Sequence, residues 1–261
     1  MTRDAVLTVD LGNTGGSLAT TDATDAPRAL ARWRAAEEIE ALEEALGALS
    51  SASSPRALAA ISAVGSSERE RAVIDVLERL GHEVVPHPEP GLEFRIERPE
   101  TCGWDRKYAA RAAVDAAGSA SSLLVVDAGT ALTVDAVLAG PRSFLGGAIA
   151  LGPKALAGAL STAGARLPSF SVDVDVPALG RSTNGALRAG VVVGFRGAVR
   201  ELCAAIAAEA FGSCDGVRAL LTGGARDYAR AAVVELFDDV HEDALLVHRG
   251  LAAATRDARR G

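Results

Sequence analysis

The chain has 261 residues, of which 49% are hydrophobic and only 4% aromatic, and its formal net charge at pH 7 is −7. This length and apolar content predict a packed globular protein of one large or two small domains and exclude a disordered chain. The acidic charge and the few aromatic side chains disfavour a partner such as nucleic acid, which needs basic residues and stacking platforms. An anionic small molecule remains compatible, because backbone amides can hold phosphate inside an acidic protein.

The cysteines and the apolar runs indicate a cellular compartment. Cys102, Cys203 and Cys214 form no CxxC pair, and no histidine stands at metal-ligand spacing from them. Their odd number and the lack of a secretory segment predict a reducing, cytoplasmic environment. No apolar stretch approaches the ~18 uncharged residues of a membrane span, so we expect no membrane partner.

The first half of the chain alternates apolar runs with turn residues. The runs at 5–12, 17–22 and 28–35 predict three strands that pair as a meander. Helical spacing of apolar residues follows at 37–49, then a buried strand at 57–64. Ser66 or Ser67 is a suitable N-cap for the next helix, and Gly81 is a suitable residue just beyond its end. A short strand at 83–87 completes the half.

The second half repeats this order. Strand-like runs lie at 122–129, 131–138 and 143–151, and a helical segment lies at 153–160. An alanine-rich helical region at 184–211 is interrupted by three glycines, and a strand at 217–224, a helix at 227–237 and an apolar closing segment at 244–251 follow. The repeat predicts an α/β fold of two similar lobes around a cleft, with an N-terminal lobe at 1–118 and a C-terminal lobe at 119–261.

One phrase occurs once in each half. VDLGNTGGSLATTD begins at Val9, and VDAGTALTVD begins at Val126, so Asp10 and Asp127 each end an apolar run before a glycine turn. Turn amides and the hydroxyls of Thr14 and Thr130 suit phosphate oxygens, and an aspartate can hold a hard cation. A single copy is more often simple hairpin punctuation. Two copies in duplicated contexts favour two loops that grip a polyphosphate.

Two further segments are candidates. LLTGG ends in Gly223 and Gly224, which would let the backbone approach an adenine or ribose, although Gly-Gly after a strand is also ordinary turn chemistry. In CGWDRKYAARAA a helix should begin at Trp104, which puts Asp105 in its first turn. Taken alone, Asp105 is more often a helix-stabilising acid. The functional alternative is a general base beside Arg106, which would bind an anionic group.

The histidines carry no motif. His82, His87, His241 and His248 form neither HxxxH nor HxH, and none lies in a glycine-rich loop. We therefore expect them to be surface or packing residues.

These motifs together resemble a known family. DLGNT, GWDR, VVDAGTALTVD, GGAIALG, RLP, GRST and LLTGG occur in the order and approximate spacing of the type III pantothenate kinases, along essentially the whole chain. The resemblance implies the duplicated actin/Hsp70/sugar-kinase fold, which is ribonuclease H-like. It also implies phosphorylation of the 4′-hydroxyl of pantothenate by ATP, the first step of coenzyme A synthesis. A divalent cation such as Mg²⁺, a monovalent cation such as K⁺ or NH₄⁺, and a homodimer are implied as well.

The resemblance implies roles for the residues of this sequence that match the motifs of the family. The general base would be Asp105, the monovalent cation would bind Asp127, and the divalent cation would bind Asp10 directly or through water. The pantothenate-binding residues would be Gly103, Trp104, Asp105, Arg106 and Thr183. The nucleotide-binding residues would be Asp10, Leu11, Gly12, Asn13, Thr14, Gly15, Gly16, Ser17, Thr130, Gly223 and Gly224.

Several positions depart from the family pattern. Ser17 stands where many members have lysine, which removes one phosphate partner, and Leu151 replaces the proline that usually follows the GGAI motif. Trp104 replaces a customary small residue beside the proposed base, and a tyrosine often found near Ile96 is absent. None of these changes removes a proposed catalytic carboxylate.

Two other functions stay open beside the kinase. One is a non-catalytic regulatory relative of the Bvg accessory factor type, against which the intact Asp10, Asp105 and Asp127 argue. The other is a kinase of the same fold with a different small acceptor, which the bulky Trp104 keeps open.

Overall fold

A computed structural model describes residues 5–21, 26–50, 58–163 and 167–260. The predicted strand ends Asp22 and Ala57, Arg166 of the RLP motif and the side chain of Leu49 lie outside the described residues. Contacts divide the chain into two units: the first is Met1–Glu93, Glu97–Ala116 and Leu245–Gly261, and the second is Phe94–Ile96 and Ala117–Ala244.

The strands and helices follow the order expected from the sequence except for the strands Glu93–Phe94 and Asp239–Glu242 and the helix Leu246–Arg260, which were not predicted. The strands are β1 (Val6–Leu11), β2 (Gly15–Thr21), β3 (Pro27–Arg34), β4 (Leu58–Ala63), β5 (Glu83–Pro86), β6 (Glu93–Phe94), β7 (Ser122–Ala128), β8 (Ala131–Leu138), β9 (Ser143–Leu151), β10 (Arg218–Thr222) and β11 (Asp239–Glu242). The helices are α1 (Glu38–Ser50), α2 (Ser67–Arg79), α3 (Trp104–Asp115), α4 (Pro153–Ala163), α5 (Thr183–Phe211), α6 (Arg226–Leu236) and α7 (Leu246–Arg260). Short 3₁₀ turns lie at Ala35–Glu37 and Pro99–Thr101.

The first unit is a five-stranded sheet in the order β3-β2-β1-β4-β5. β1, β2 and β3 form the expected antiparallel meander, and β4 and β5 continue it in parallel. Because side chains alternate along a strand, Leu7 and Val9 pack with residues of α1 and α2 in the buried core. Thr8 and Asp10 therefore point to the opposite face, where α7 supplies a partner for Thr8.

The second unit is a six-stranded sheet in the order β11-β10-β7-β8-β9-β6. β7, β8 and β9 form an antiparallel meander, and β10 and β11 run parallel to β7. Residues of α5 and α6, among them Phe195, Val199 and Val233, join the strands in one core. Apart from β6, the order repeats that of the first sheet, so the predicted duplication and the α/β fold are confirmed.

Two expectations about helices differ from the structure. The region predicted to be interrupted by Gly190, Gly194 and Gly197 is one continuous helix of 29 residues. Each interior glycine costs only about 1 kcal/mol relative to alanine, and the buried side chains of α5 outweigh that cost. The segment at 244–251, expected only as an apolar closing segment, contains the start of a helix: β11 ends at Glu242, and α7 begins at Leu246.

The C-terminal helix also changes the grouping of residues. Contacts place Leu245–Gly261 in the first unit, whereas the predicted C-terminal lobe extended from 119 to 261. Gly250 makes this packing tight, because a Cβ there would lie 1.9 Å from the Tyr108 carbonyl oxygen of α3. Only a glycine lets the two helices approach so closely. The division into lobes at residues 118 and 119 stays a prediction.

Candidate active site

The two copies of the repeated phrase form similar hairpin loops, one in each unit. The amide of Gly12 donates to the Gly15 carbonyl at 2.8 Å, and the amide of Gly129 donates to the Ala131 carbonyl at 2.8 Å. Asp10 lies opposite Ser17, and Asp127 lies opposite Thr133, so the first loop is one residue longer. The predicted loop residues are thus at the ends of β1 and β7, as the sequence indicated.

Asp10 has an unsatisfied carboxylate in the first unit. Its Oδ1 atom is buried, and neither this atom nor the nearby Ser62 Oγ has a hydrogen-bond partner of acceptable geometry. Burial and the negative charge of Asp105 raise the pKa of Asp10 to about 7, against smaller opposing effects of Ser62 and Arg32. An unpaired buried carboxylate oxygen is costly in itself, and it is a suitable ligand for a hard divalent cation.

Asp105 lies in the first turn of α3, in the same unit. Its Oδ1 accepts a hydrogen bond from the Arg106 amide at 2.8 Å. Burial raises the pKa of Asp105, while the amide and the guanidinium of Arg106 partly counter that rise. A Cβ at Gly103 would lie 2.5 Å from Asp105 Oδ1. The glycine of the GWDR motif therefore leaves room for the carboxylate, and the structure brings Asp10 and Asp105 together.

Trp104, the bulky departure from the family pattern, packs inside the first unit. Its ring stacks on His87 with centroids 4.6 Å apart and lies 5.8 Å from the Tyr108 ring. The Lys107 ammonium lies 4.1 Å from the indole centroid, a cation–π distance. His87 in turn pairs with Glu70 at 2.7 Å. These partners follow β5 or belong to α2 and α3, and they fix the position of the indole beside Asp105.

The glycines after Thr14 also have a packing explanation. A Cβ at Gly15 would lie 2.1 Å from the Trp33 carbonyl oxygen, and one at Gly16 would lie 2.8 Å from the Trp33 indole nitrogen. β3 thus requires glycine at both positions. Gly15 and Gly16 are therefore weaker evidence for a phosphate-binding loop than the sequence motif alone suggested.

In the second unit, two further turns lie against the DAGT loop. A Cβ at Gly223 would lie 2.3 Å from both Asp127 Oδ1 and the Ala128 carbonyl oxygen. Gly152 is equally close to the loop, since its Cβ would lie 2.1 Å from the Gly129 carbonyl oxygen. The glycine after Leu151 therefore keeps its packing role although the preceding proline is absent. The LLTGG turn and Asp127 thus lie side by side, a proximity that the sequence did not predict.

The remaining predicted residues also have defined positions. Thr183 is the exposed first residue of α5, and the preceding Ser182 caps the helix by accepting from the Gly185 amide at 3.1 Å. Thr130 is exposed in the DAGT loop, Leu11 ends β1 in the core, and Asn13, Thr14 and Gly224 lie in loops or at their edges. None of these positions by itself tests a binding role.

His248 is a residue that sequence reasoning missed. It is buried on α7, with Nδ1 2.9 Å from Thr8 Oγ1 and Nε2 2.9 Å from Ser17 Oγ. The Thr8 hydroxyl also lies 3.3 Å from the Ala19 carbonyl oxygen, and the imidazole connects the Thr8 and Ser17 hydroxyls through its two ring nitrogens. The histidine thus holds the hydroxyl at the position where many relatives have lysine. No local pattern could have revealed a contact across 231 residues.

Arg69 and Glu38 were also missed. Arg69 joins the buried carboxylate of Glu38 to the carbonyl oxygen of Gly12 in the first loop. Both residues lie in charged helical segments that resemble ordinary solvated faces.

Within the ranges that the structure describes, no three His, Cys, Asp or Glu side chains are grouped as a metal site. Across the same part of the chain, no helix has both the length and the apolar content to cross a membrane.

Solved structures place this architecture among the actin and sugar-kinase folds. A structure from Campylobacter jejuni described as a Baf family transcriptional activator matches with a TM-score of 0.58 and 19% identity, over 98% of this chain and 100% of that one. A ROK family glucokinase from Streptomyces griseus, in complex with glucose and AMPPNP, matches with a TM-score of 0.50 and 17% identity, over 98% and 100% of the two chains. Similarity at this level shows the fold, which is the predicted one.

Sequence comparison defines the family more narrowly. The family model for type III pantothenate kinase matches residues 6–205. A type III pantothenate kinase of Thermus thermophilus is 33% identical over 246 residues, which is 92% of this chain and 95% of that protein. One from Nitratidesulfovibrio vulgaris is 42% identical over 171 residues, 64% of this chain and 63% of that protein. The chain belongs to the type III pantothenate kinase family and is an enzyme of that kinase class.

Proposed function

We propose that this chain transfers the γ-phosphoryl group of ATP to the 4′-hydroxyl of pantothenate, the first step of coenzyme A biosynthesis, with Asp105 as the general base. Family membership supports the reaction. The observation that supports the assignment of roles is the pair of carboxylates in the first unit, where the charge of Asp105 raises the pKa of Asp10.

Asp105 is chemically suited to take a proton. A primary alcohol is a weak nucleophile at neutral pH, and a positioned carboxylate accelerates its attack by accepting the hydroxyl proton. Asp105 Oδ1 accepts a hydrogen bond from the Arg106 amide, and this contact restrains the orientation of the carboxylate. Burial raises the pKa of this group and so makes the ionised form a stronger base. Arg106, Gly103, Trp104 and Thr183 complete the proposed pantothenate set.

Asp10 is suited to the divalent cation. Its buried Oδ1 lacks a hydrogen bond, and a carboxylate oxygen is a ligand that Mg²⁺ accepts directly or through water. Mg²⁺ bound there would neutralise charge on the phosphate oxygens of ATP. The glycine-turn amides of residues 11–17, Thr130 of the DAGT loop, and Gly223 and Gly224 form the rest of the proposed nucleotide set.

The general-base role is tested with Asp105→Asn, which keeps the size of the side chain and removes its basicity. We expect kcat to fall by about 10²–10⁴-fold, the usual contribution of a general base, while KM for ATP and for pantothenate changes little. Coupled measurement of ADP release provides both constants. Asp115→Asn, at the other end of α3, is the matched control and should retain its rate. A near wild-type rate in Asp105→Asn would show that Asp105 is only a helix-start residue.

A monovalent cation is proposed at Asp127. Asp127 lies at the end of β7 against the Gly223 turn, and its carboxylate offers the hard oxygen ligand that such a cation requires. Asp127→Asn should weaken the dependence of turnover on K⁺ or NH₄⁺, measured as a salt titration at constant ionic strength. Asp227→Asn on α6 is the control. An unchanged K⁺ titration in the Asp127 variant would contradict the assignment.

A homodimer through α5 is also proposed. Gly190, Gly194 and Gly197 share one exposed face of this helix, and a Cβ at any of them would meet nothing within 4 Å. Each glycine inside a helix lowers its stability relative to alanine. None of the described residues lies close enough to these three positions to require a glycine there. Val193 on the same face is 42% exposed, and Ile149 of β9 is 64% exposed. A second copy of the chain, packed closely against the glycines of α5, would cover these exposed side chains.

A cytoplasmic location of the protein stays a prediction.

An acceptor other than pantothenate is the second candidate, and Trp104 is the observation that favours it. The indole stands between Gly103 and Asp105 in the segment proposed to bind the acceptor. Measuring ADP release with a panel of small alcohols distinguishes a pantothenate kinase from a kinase with another acceptor. Turnover of pantothenate above all others supports the main proposal, and a different preferred alcohol would overturn it.

A further inference from the structure

We propose that Arg69 and Glu38 are positioning residues that orient the first phosphate loop and thereby set the affinity for ATP. This inference rests on the proposed role of residues 11–17 in nucleotide binding. Neither residue belongs to a motif, and neither is among the residues assigned above to the substrates or the cations.

The contacts form one connected network beneath the loop. Arg69 donates from Nε to Glu38 Oε1 at 3.1 Å and from Nη2 to Glu38 Oε2 at 2.6 Å, which is a bidentate pair. Its remaining terminal nitrogen, Nη1, donates to the Gly12 carbonyl oxygen at 2.9 Å. Glu38 is only 4% exposed, and its Oε2 also accepts from the Trp33 indole at 3.2 Å. The guanidinium is therefore held on two sides before it reaches the loop.

The hydrogen bond to Gly12 determines where the next amide points. A trans peptide is planar, and its N–H points away from its C=O. When Arg69 fixes the Gly12 carbonyl, it also fixes the Asn13 N–H in the opposite direction. The Ala35 amide acts likewise on the Thr14 carbonyl at 3.0 Å. Amides directed in this way are what a phosphate-binding loop presents to an anion.

A structural role alone explains the pair poorly. A buried ion pair is weak evidence for stability, because desolvation offsets the attraction between the charges. The same two helices, α1 and α2, already have an exposed ion pair between Arg79 and Glu43. What distinguishes the Arg69 pair is the third contact, which ends on the loop itself.

The test separates positioning from stability with three variants. Arg69→Met removes the loop contact and leaves Glu38 unpaired, so it should bind AMPPNP more weakly and also unfold more easily. Arg69→Met with Glu38→Gln removes both charges, keeps an acceptor for the Trp33 indole, and should recover most of the lost stability. Arg79→Met removes the exposed pair between the same helices and is the matched control. Calorimetric titration with Mg–AMPPNP, urea unfolding and steady-state kinetics are measured on each.

We expect the double variant to be about tenfold weaker in AMPPNP affinity, as the loss of one charge-assisted hydrogen bond implies, while its KM for pantothenate stays near the wild-type value. Arg79→Met should match the wild type in both. Recovery of AMPPNP affinity together with stability in the double variant would show a purely structural pair and overturn the inference. A wild-type protein that binds no AMPPNP would overturn the proposed function itself, and the inference with it.

Discussion

At the scale of single residues, Asp10 has the most perturbed electrostatics of the proposed site carboxylates. Its pKa of about 7 results from burial and from the charge of Asp105, and in the absence of a cation Oδ1 has no partner. Strained electrostatics of this kind are typical of functional sites, where stability is given up for chemistry. The ionised form of Asp10 therefore carries a cost to the fold, which its proposed role in binding a cation would offset.

That cost predicts how stability varies with pH. Because the folded pKa is raised from 3.8 to about 7, the stability due to Asp10 is fully present below pH 4 and is lost as pH rises to about 7. Asp10→Asn does not titrate, so without divalent cations it should be more stable than the wild type at pH 8 by on the order of 2–4 kcal/mol. The difference should shrink steadily toward pH 4.

Urea unfolding at pH 5, 7 and 8 in EDTA measures this difference. Asp75→Asn, an exposed acid on α2, is the control and should show no comparable trend. A constant difference between Asp10→Asn and the wild type across this range would mean that Asp10 has an ordinary pKa.

The site residues differ in how far they could be predicted. Asp10, Asp105 and Asp127 lie in short motifs, so the sequence indicated them directly, and their roles stay predictions. His248 and Arg69 act on loops through contacts across 231 and 57 residues. Such contacts leave no local spacing to recognise.

At the scale of elements, the packing of α7 on α3 depends on one glycine. Gly250 lies where a Cβ would be 1.9 Å from the Tyr108 carbonyl oxygen, and backbone at that distance cannot yield without separating the helices. Alanine has the higher helix propensity, but the close contact between α7 and α3 requires glycine at this position.

Gly250→Ala should therefore destabilise the protein by at least about 2 kcal/mol, the range expected for overpacking, although alanine is the better helix former. Gly47→Ala in α1 is the matched control, since a Cβ there meets nothing within 4 Å. It should stabilise by about 0.5–1 kcal/mol. Chemical denaturation of both variants measures the two changes. A stabilised Gly250→Ala would show that α7 does not approach α3 this closely.

At the scale of the whole molecule, the chain is a duplication whose second copy has lost its symmetry at the C-terminus. Both sheets join an antiparallel meander to two parallel strands. The final helix, however, belongs with the first unit, where it supplies His248 and Gly250. The first unit is thus completed only by the last residues of the chain.

The homodimer is the prediction at this scale. Val193→Arg puts a charge into the exposed glycine face of α5, so it should convert a dimer to a monomer in light scattering at micromolar concentration. Val234→Arg on α6, also an exposed valine at 54%, should leave the mass unchanged. A monomeric wild type, or a dimeric Val193→Arg, would contradict an interface on α5.

The sequence by itself determined most of the order of strands and helices, though not β6, β11 or α7, together with the duplicated α/β fold and the family. These features depend on local periodicity, on turn glycines and on short motifs, and each of these signals comes from residues that are close together in the sequence. Only the tertiary structure decided that α5 continues through its glycines, that 244–251 begins a helix of the first unit, and that His248 and Arg69 hold the first loop. Burial and contacts between distant residues decide such features, and these outweigh the weak local preferences of the segments involved.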